Sequence, residues 1–218
     1  MRIDTVVFDM DGVLFDTERL CCDCWYELAR EKNLPMDKMR EAVTASIGRN
    51  MNDTRLQVHR ILGADFPYEE FRSIVVERME KTMEEEMPIK PGVHELLAFL
   101  QKENYQIVLA SSSKEETVRR YLEKAGLLSY FKALMTGDMV VHSKPDPEIY
   151  ERACASVDRR PEQCVAIEDS TNGIRSAFGA GMPVIMVPDL LQPDEEVRRM
   201  LFAECASLQN VIELLKHT

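Results

Sequence analysis

Residues 3–14 read Ile3-Asp4-Thr5-Val6-Val7-Phe8-Asp9-Met10-Asp11-Gly12-Val13-Leu14. A short β-branched run that ends in acids suits a buried strand giving way to a loop. Asp9 and Asp11 flank Met10 at that transition. Two carboxylates so placed can divide the work of a reaction. One can be a nucleophile, while the other is a general acid/base and lends its backbone carbonyl to a metal. Gly12 lets the backbone turn and come close to a phosphate. The plainer reading is an acidic pair that caps a turn, although a buried strand rarely ends in two acids without use.

Outward from this strand the pattern splits. Residues 17–86 predict helix throughout, with apolar residues at helical spacing in Leu20, Cys24, Leu28 and in Phe71, Ile74, Val75, Met79, Met83. Pro35 and the stretch 63–67 punctuate these helices. From Pro88 helix and strand alternate: helix 93–103, strand 106–110, helix 115–125, strand 133–135, helix 147–156, strand 164–167, helix 174–180, strand 183–187. Ser113 with Glu116 reads as a capping box. Asp146-Pro147 reads as an N-cap before a first-turn proline. Gly126 and Gly181 stand where helices end. Alternation of this kind predicts a parallel sheet covered on both faces, with ligands at the carboxyl ends of its strands. The fold class is therefore α/β, a Rossmann-like parallel-sheet core with an inserted all-helical cap. The expected division is 1–14 with 88–218 for the core and 15–87 for the cap, a helical insertion placed to open and close over the site.

Three further clusters lie at or just after expected strand ends. Ser111-Ser112-Ser113 offers hydroxyls and loop N–H groups before a helix, which make an anion site; Ser113 also suits a plain N-cap. Lys144, in Ser143-Lys144-Pro145-Asp146-Pro147, sits in a loop stiffened by two prolines. Held there it can neutralise a phosphoryl group or a carboxylate; the alternative is an exposed turn lysine. Glu168-Asp169-Ser170 places adjacent acids where a hard cation finds ligands, and Asp169 or Ser170 can equally cap the next helix. Together the clusters fit phosphoryl transfer, which needs an in-line nucleophile, cations on the transferring oxygens and a proton donor.

Composition narrows the rest. At 218 residues, 45% hydrophobic and 30% charged, the chain reads as an ordinary globular protein. A net charge of −11 argues against a nucleic-acid polymer as partner. No apolar run approaches the roughly 20 residues of a bilayer span, and the N-terminus is not a signal peptide, so the expected location is cytoplasmic, with no membrane partner. The six cysteines form no CxxC pair and read as small apolar filler rather than a zinc site. Glu84-Glu85-Glu86 reads as a solvated helix end, and the four histidines as structural or surface groups. Nothing demands an oligomer; a monomer or weak oligomer is expected.

The four clusters, in this order, closely resemble the motifs of the haloacid dehalogenase superfamily: DMDGVLFD (9–16), ASSS (110–113), SKPDP (143–147) and IEDS (167–170). The resemblance covers essentially the whole chain and is strongest to the β-phosphoglucomutase-like and phosphoglycolate phosphatase-like branch with a helical cap. It implies Asp9 as nucleophile and Asp11 as general acid/base. It implies Gly12, Ser111, Ser112 and Lys144 around the phosphoryl group, and Mg²⁺ held by Asp9, the Asp11 carbonyl, Asp169 and Glu168. Mutases of the branch resemble one another in a histidine early in the first cap helix and an arginine after a cap glycine. Cys21 and Met51 stand at the corresponding places here, and Arg49 lies two residues earlier, within reach of a substrate. The resemblance thus implies a Mg²⁺-dependent phosphomonoester hydrolase acting on a small phosphorylated metabolite, such as a sugar phosphate, through an aspartyl-phosphate. A phosphosugar mutase is the alternative. A non-catalytic phosphometabolite-binding protein is the reading from another class, and it would have no need of Asp11.

Overall fold

The computed structural model describes residues 3–47 and 51–217. The chain divides into two compact units, Met1–Phe15 with Ile89–Thr218, and Asp16–Pro88.

The first unit is built on six parallel strands: β1 (Thr5–Phe8), β2 (Gln106–Ser111), β3 (Ala133–Thr136), β4 (Cys164–Glu168), β5 (Val184–Met186) and β6 (Ala203–Glu204), in the order β3-β2-β1-β4-β5-β6. β1 is central, and every one of its residues is buried, as a β-branched run without polar alternation requires. Its Val7 pairs with Val108 on one side and Ala166 on the other. The strand order reverses between β1 and β4, which is where open parallel sheets form a ligand crevice. One face packs its Val7, Val108 and Ala166 against Tyr150 and Ala153 of α7 (Glu148–Ala155) and Ile174 and Ala177 of α8 (Thr171–Gly179). This unit also holds α5 (Val93–Lys102), α6 (Glu115–Lys124), α9 (Glu195–Arg198) and α10 (Leu208–Leu215). β6, α9 and α10 add to the elements expected from sequence; two strand residues and a one-turn helix are too short to show a period, while α10 buries Leu208, Val211 and Leu215 at helical spacing.

Capping corrects two expectations. Ser113 does not cap α6; the N-cap is Lys114, and the Glu115 amide is bound by Asp138 Oδ1 at 3.1 Å. Ser113 turns instead to Asp11. Pro147 is the N-cap of α7 rather than its first helical residue, while Asp146 Oδ1 accepts the Glu148 amide at 3.0 Å. Gly126 and Gly181 do adopt the left-handed conformation after helix ends, with φ of 69° and 83°.

The second unit is helical: α1 (Thr17–Glu31), α2 (Met36–Thr44), α3 (Met51–Leu62) and α4 (Tyr68–Glu85). α1 buries Thr17, Cys24, Trp25, Leu28 and Ala29, one stripe at helical spacing. Trp25 stacks near-parallel on Tyr68 and Phe71, with ring centroids 6.0 and 6.3 Å away, so the aromatic rings join α1 to α4. Glu84, Glu85 and Glu86 are exposed at the end of α4.

Candidate active site

The carboxyl ends of β1, β2 and β4 bring the expected residues together. The Asp9 amide donates to the Ile167 carbonyl at 3.0 Å, so the first residue past β1 stays in register with β4. The chain then turns: Leu14 N donates to the Met10 carbonyl and Gly12 N to the Phe15 carbonyl. Gly12 takes φ of +82°, where an L side chain is strained. Asp11 accepts a hydrogen bond from Ser113 Oγ at 3.3 Å, which links the first cluster to the second. Ser111 is fully buried, and its Oγ accepts the Ser113 amide at 3.1 Å; Ser112 is exposed.

Lys144 is the hub. Its Nζ donates to Asp9 Oδ1 at 2.6 Å, Glu168 Oε1 at 2.7 Å, the Ala110 carbonyl at 3.0 Å and Tyr150 Oη at 3.2 Å. The loop that carries it is tied down by Glu148, whose Oε2 accepts the Val141 and His142 amides. Glu168 is fully buried and bonded on both oxygens. Oε1 takes Lys144 and Tyr150, while Oε2 takes the amides of Asp169 and Ser170 and the Ser170 hydroxyl. Gly173, in the first turn of α8, makes room for it: a Cβ there would lie 1.7 Å from Glu168 Oε1.

Burial pushes the Asp9 carboxyl well above the usual carboxylate range; Lys144 pulls it down, and Glu168 and Asp11 push it up again. Burial alone would lower the Lys144 ammonium, but the charges of Asp9 and Glu168 outweigh it and hold it well above its ordinary value. One ammonium therefore serves a crowded acidic site. Asp9, Glu168 and Asp169 each offer an oxygen within 4.8 Å of the others, a hard-oxygen donor set that suits a divalent cation and whose excess negative charge such an ion offsets. His142, Asp146 and Glu148 form a second such group. There the bonds from Glu148 to two amides and from Asp146 to a third give those acids a structural use.

Tyr150 is a member of this site that the four polar clusters do not include. Its signal was a tyrosine on the inward, apolar face of a helix, where a hydroxyl must find a partner. Arg49 lies outside the described residues. In the helical unit Cys21, Cys22, Trp25, Met39 and Val58 border a largely apolar cavity of about 170 Å³ with Glu18 at its edge.

The model of the haloacid dehalogenase-like hydrolases matches residues 6–187, and the chain belongs to that family of enzymes. It is 30% identical to a phosphorylated carbohydrates phosphatase of Thermotoga maritima over 83% of this chain and 82% of the relative. It is also 30% identical to a β-phosphoglucomutase of Bacillus subtilis, over 81% of this chain and 80% of that one. A crystal structure of CbbY from Rhodobacter sphaeroides in complex with phosphate superposes with a TM-score of 0.69 at 27% identity, covering 96% of each chain.

Proposed function

We propose that the chain is a Mg²⁺-dependent phosphatase of small phosphorylated metabolites, phosphorylated carbohydrates first among them. The observation that carries this reading is the Lys144 ammonium, held at 2.6 Å from Asp9 and 2.7 Å from Glu168 at the carboxyl ends of the strands. The names of the relatives support the substrate class.

An Asp9 oxygen attacks phosphorus and the bond to the ester oxygen breaks. Asp11 gives its proton to the departing alkoxide, leaving an aspartyl-phosphate on Asp9. Asp11 then takes a proton from water. The water oxygen bonds to phosphorus, the bond to Asp9 breaks, and inorganic phosphate leaves. Lys144 places a fixed positive charge beside the transferring group, and Gly12, Ser111 and Ser112 line its approach. Asp9, Asp169 and the Asp11 backbone carbonyl would hold Mg²⁺, with Glu168, whose oxygens already accept Lys144, Tyr150, two amides and a hydroxyl, adding its charge beside them; when bound the ion offsets charge between phosphoryl and site oxygens. Arg49 is assigned to the substrate on the same reading.

A mutase is the second reading, and the β-phosphoglucomutase relative is what favours it. Cys21 weighs against it. Burial pushes this thiol up to about 12, so at neutral pH it neither gives nor takes a proton in the way the histidine of the mutases would. On this reading the enzyme works in the cytoplasm as a monomer or weak oligomer; among the described residues no helix is long and apolar enough to cross a membrane.

The test is phosphate release from a panel of phosphorylated metabolites, with Mg²⁺ and with EDTA, beside Asp9→Asn. Metal-dependent release by the wild type alone is the expected result. Appreciable metal-dependent turnover by Asp9→Asn overturns the nucleophile. Isomerisation of a sugar phosphate with little free phosphate selects the mutase, and binding without turnover selects the non-catalytic protein.

A further inference from the structure

We propose that Tyr150 is a positioning residue, whose hydroxyl and ring fix the Lys144 ammonium against Asp9. The proposal rests on the phosphatase reading of Asp9 and Lys144. A lysine reaches its site on a flexible four-carbon stem and carries three donors. Here four acceptors surround it: Asp9, Glu168, the Ala110 carbonyl and Tyr150 Oη.

Tyr150 settles how they share it. Its hydroxyl donates to Glu168 Oε1 at 2.7 Å, which turns the oxygen's lone pairs toward Lys144 Nζ, 3.2 Å away. The hydroxyl thus takes up part of the Glu168 charge that otherwise draws the ammonium away from Asp9. The same residue lays its ring beside the ammonium, with Nζ 4.8 Å from the centroid, an attractive contact that closes one side of the site. Packing holds the ring in place. It is fully buried, on α7, in one cluster with Val7, Val108, Ile149 and Ile174. A core tyrosine therefore transmits the rigidity of the sheet to a charge that must stand still while the phosphoryl group moves past it.

Tyr150→Phe removes the hydroxyl and keeps the ring. The experiment compares kcat, KM and thermal midpoint of the wild type and Tyr150→Phe on the best substrate of the panel, at a temperature where far-UV circular dichroism shows both folded. The expected result is a kcat lower by roughly tenfold, the usual scale for groups that orient catalytic ones, with KM within about twofold and the midpoint within a few degrees. In a Lys144→Met background, Tyr150→Phe is expected to cause no further loss, because the group it positions is gone. A kcat within twofold of the wild type overturns the role. So does a variant that fails to fold at any temperature, which makes Tyr150 structural only. A wild type inactive on the whole panel overturns the phosphatase reading and this role with it; an active wild type matched by its variant overturns the role alone.

Discussion

A Cβ atom on Gly12 would lie 2.1 Å from Oδ2 of Asp169. The first and fourth clusters of the sequence are thus packed so closely that only a hydrogen fits between backbone and carboxylate. Gly12→Ala must push Asp169 aside and must also hold an L residue at φ of +82°. We expect it to lower kcat/KM by at least ~100-fold, on the scale set by small misplacements of catalytic groups. The strain itself costs about 1–3 kcal/mol. Steady-state kinetics beside a thermal melt checks this; near-wild-type activity in a folded variant would show that Asp169 is free to move.

Glu168→Gln is expected to destabilise the protein by about 3–5 kcal/mol, the usual cost of breaking a buried charge pair. Both Glu168 oxygens face donors only: Lys144 and Tyr150 on one, two amides and a hydroxyl on the other. Either orientation of a glutamine amide sets its NH₂ against donors. Urea unfolding at pH 7 reads the difference, and an unchanged midpoint would sink the argument.

Leu28→Ala is expected to cost about 2–5 kcal/mol. Leu28 is 1% exposed in the helical core that also contains Trp25, Tyr68 and Phe71. Trp25 is the chain's single tryptophan, so its fluorescence reports this helical unit directly. Denaturant titration of that signal checks the prediction, and a shift too small to resolve contradicts it.

Cys21 is expected to resist alkylation in the native state. Burial, then Glu18 and the neighbouring Cys22 and Cys24, pushes its thiol from 9.0 up to about 12. At pH 8 only about one molecule in 10⁴ then carries the reactive thiolate. Because the folded value is raised, the fold favours the neutral thiol. That contribution is complete below about pH 9 and is lost as the pH rises toward 12. Iodoacetamide labelling at pH 8, read by mass spectrometry with and without urea, should show Cys21 slow in the first case and ordinary in the second. Equal rates would mean that the surroundings of this half-buried thiol do not hold it neutral.

Much of this protein could be read from one dimension. Thr5–Phe8 is apolar enough to be a central strand, and alternation after Pro88 placed β2, β3, β4 and β5 within a residue or two. The four polar clusters stood out because acids and serines at the ends of apolar runs are costly without a use. β6 and α9 span only two and four residues, too short to show a period, whereas α10, with Leu208, Val211 and Leu215 at helical spacing, was legible in principle. Ser113 shows the limit of local reasoning. Its capping pattern is real in sequence, yet the hydroxyl goes to Asp11, 102 residues away in the chain.

What the sequence by itself determined is therefore the inventory and its order: an acid pair, a serine loop, a lysine between prolines, a second acid pair, and strands to carry them. Local propensity and burial depend on near neighbours, so they are written along the chain. Only the tertiary structure decided the partners. That Lys144 is divided between Asp9, 135 residues before it, and Glu168, 24 after it, follows from the order of strands in the sheet. That Tyr150 completes the arrangement follows from which face of α7 the core buries. Electrostatic and packing energies depend on separation in space, and the chain acquires those separations only when it folds.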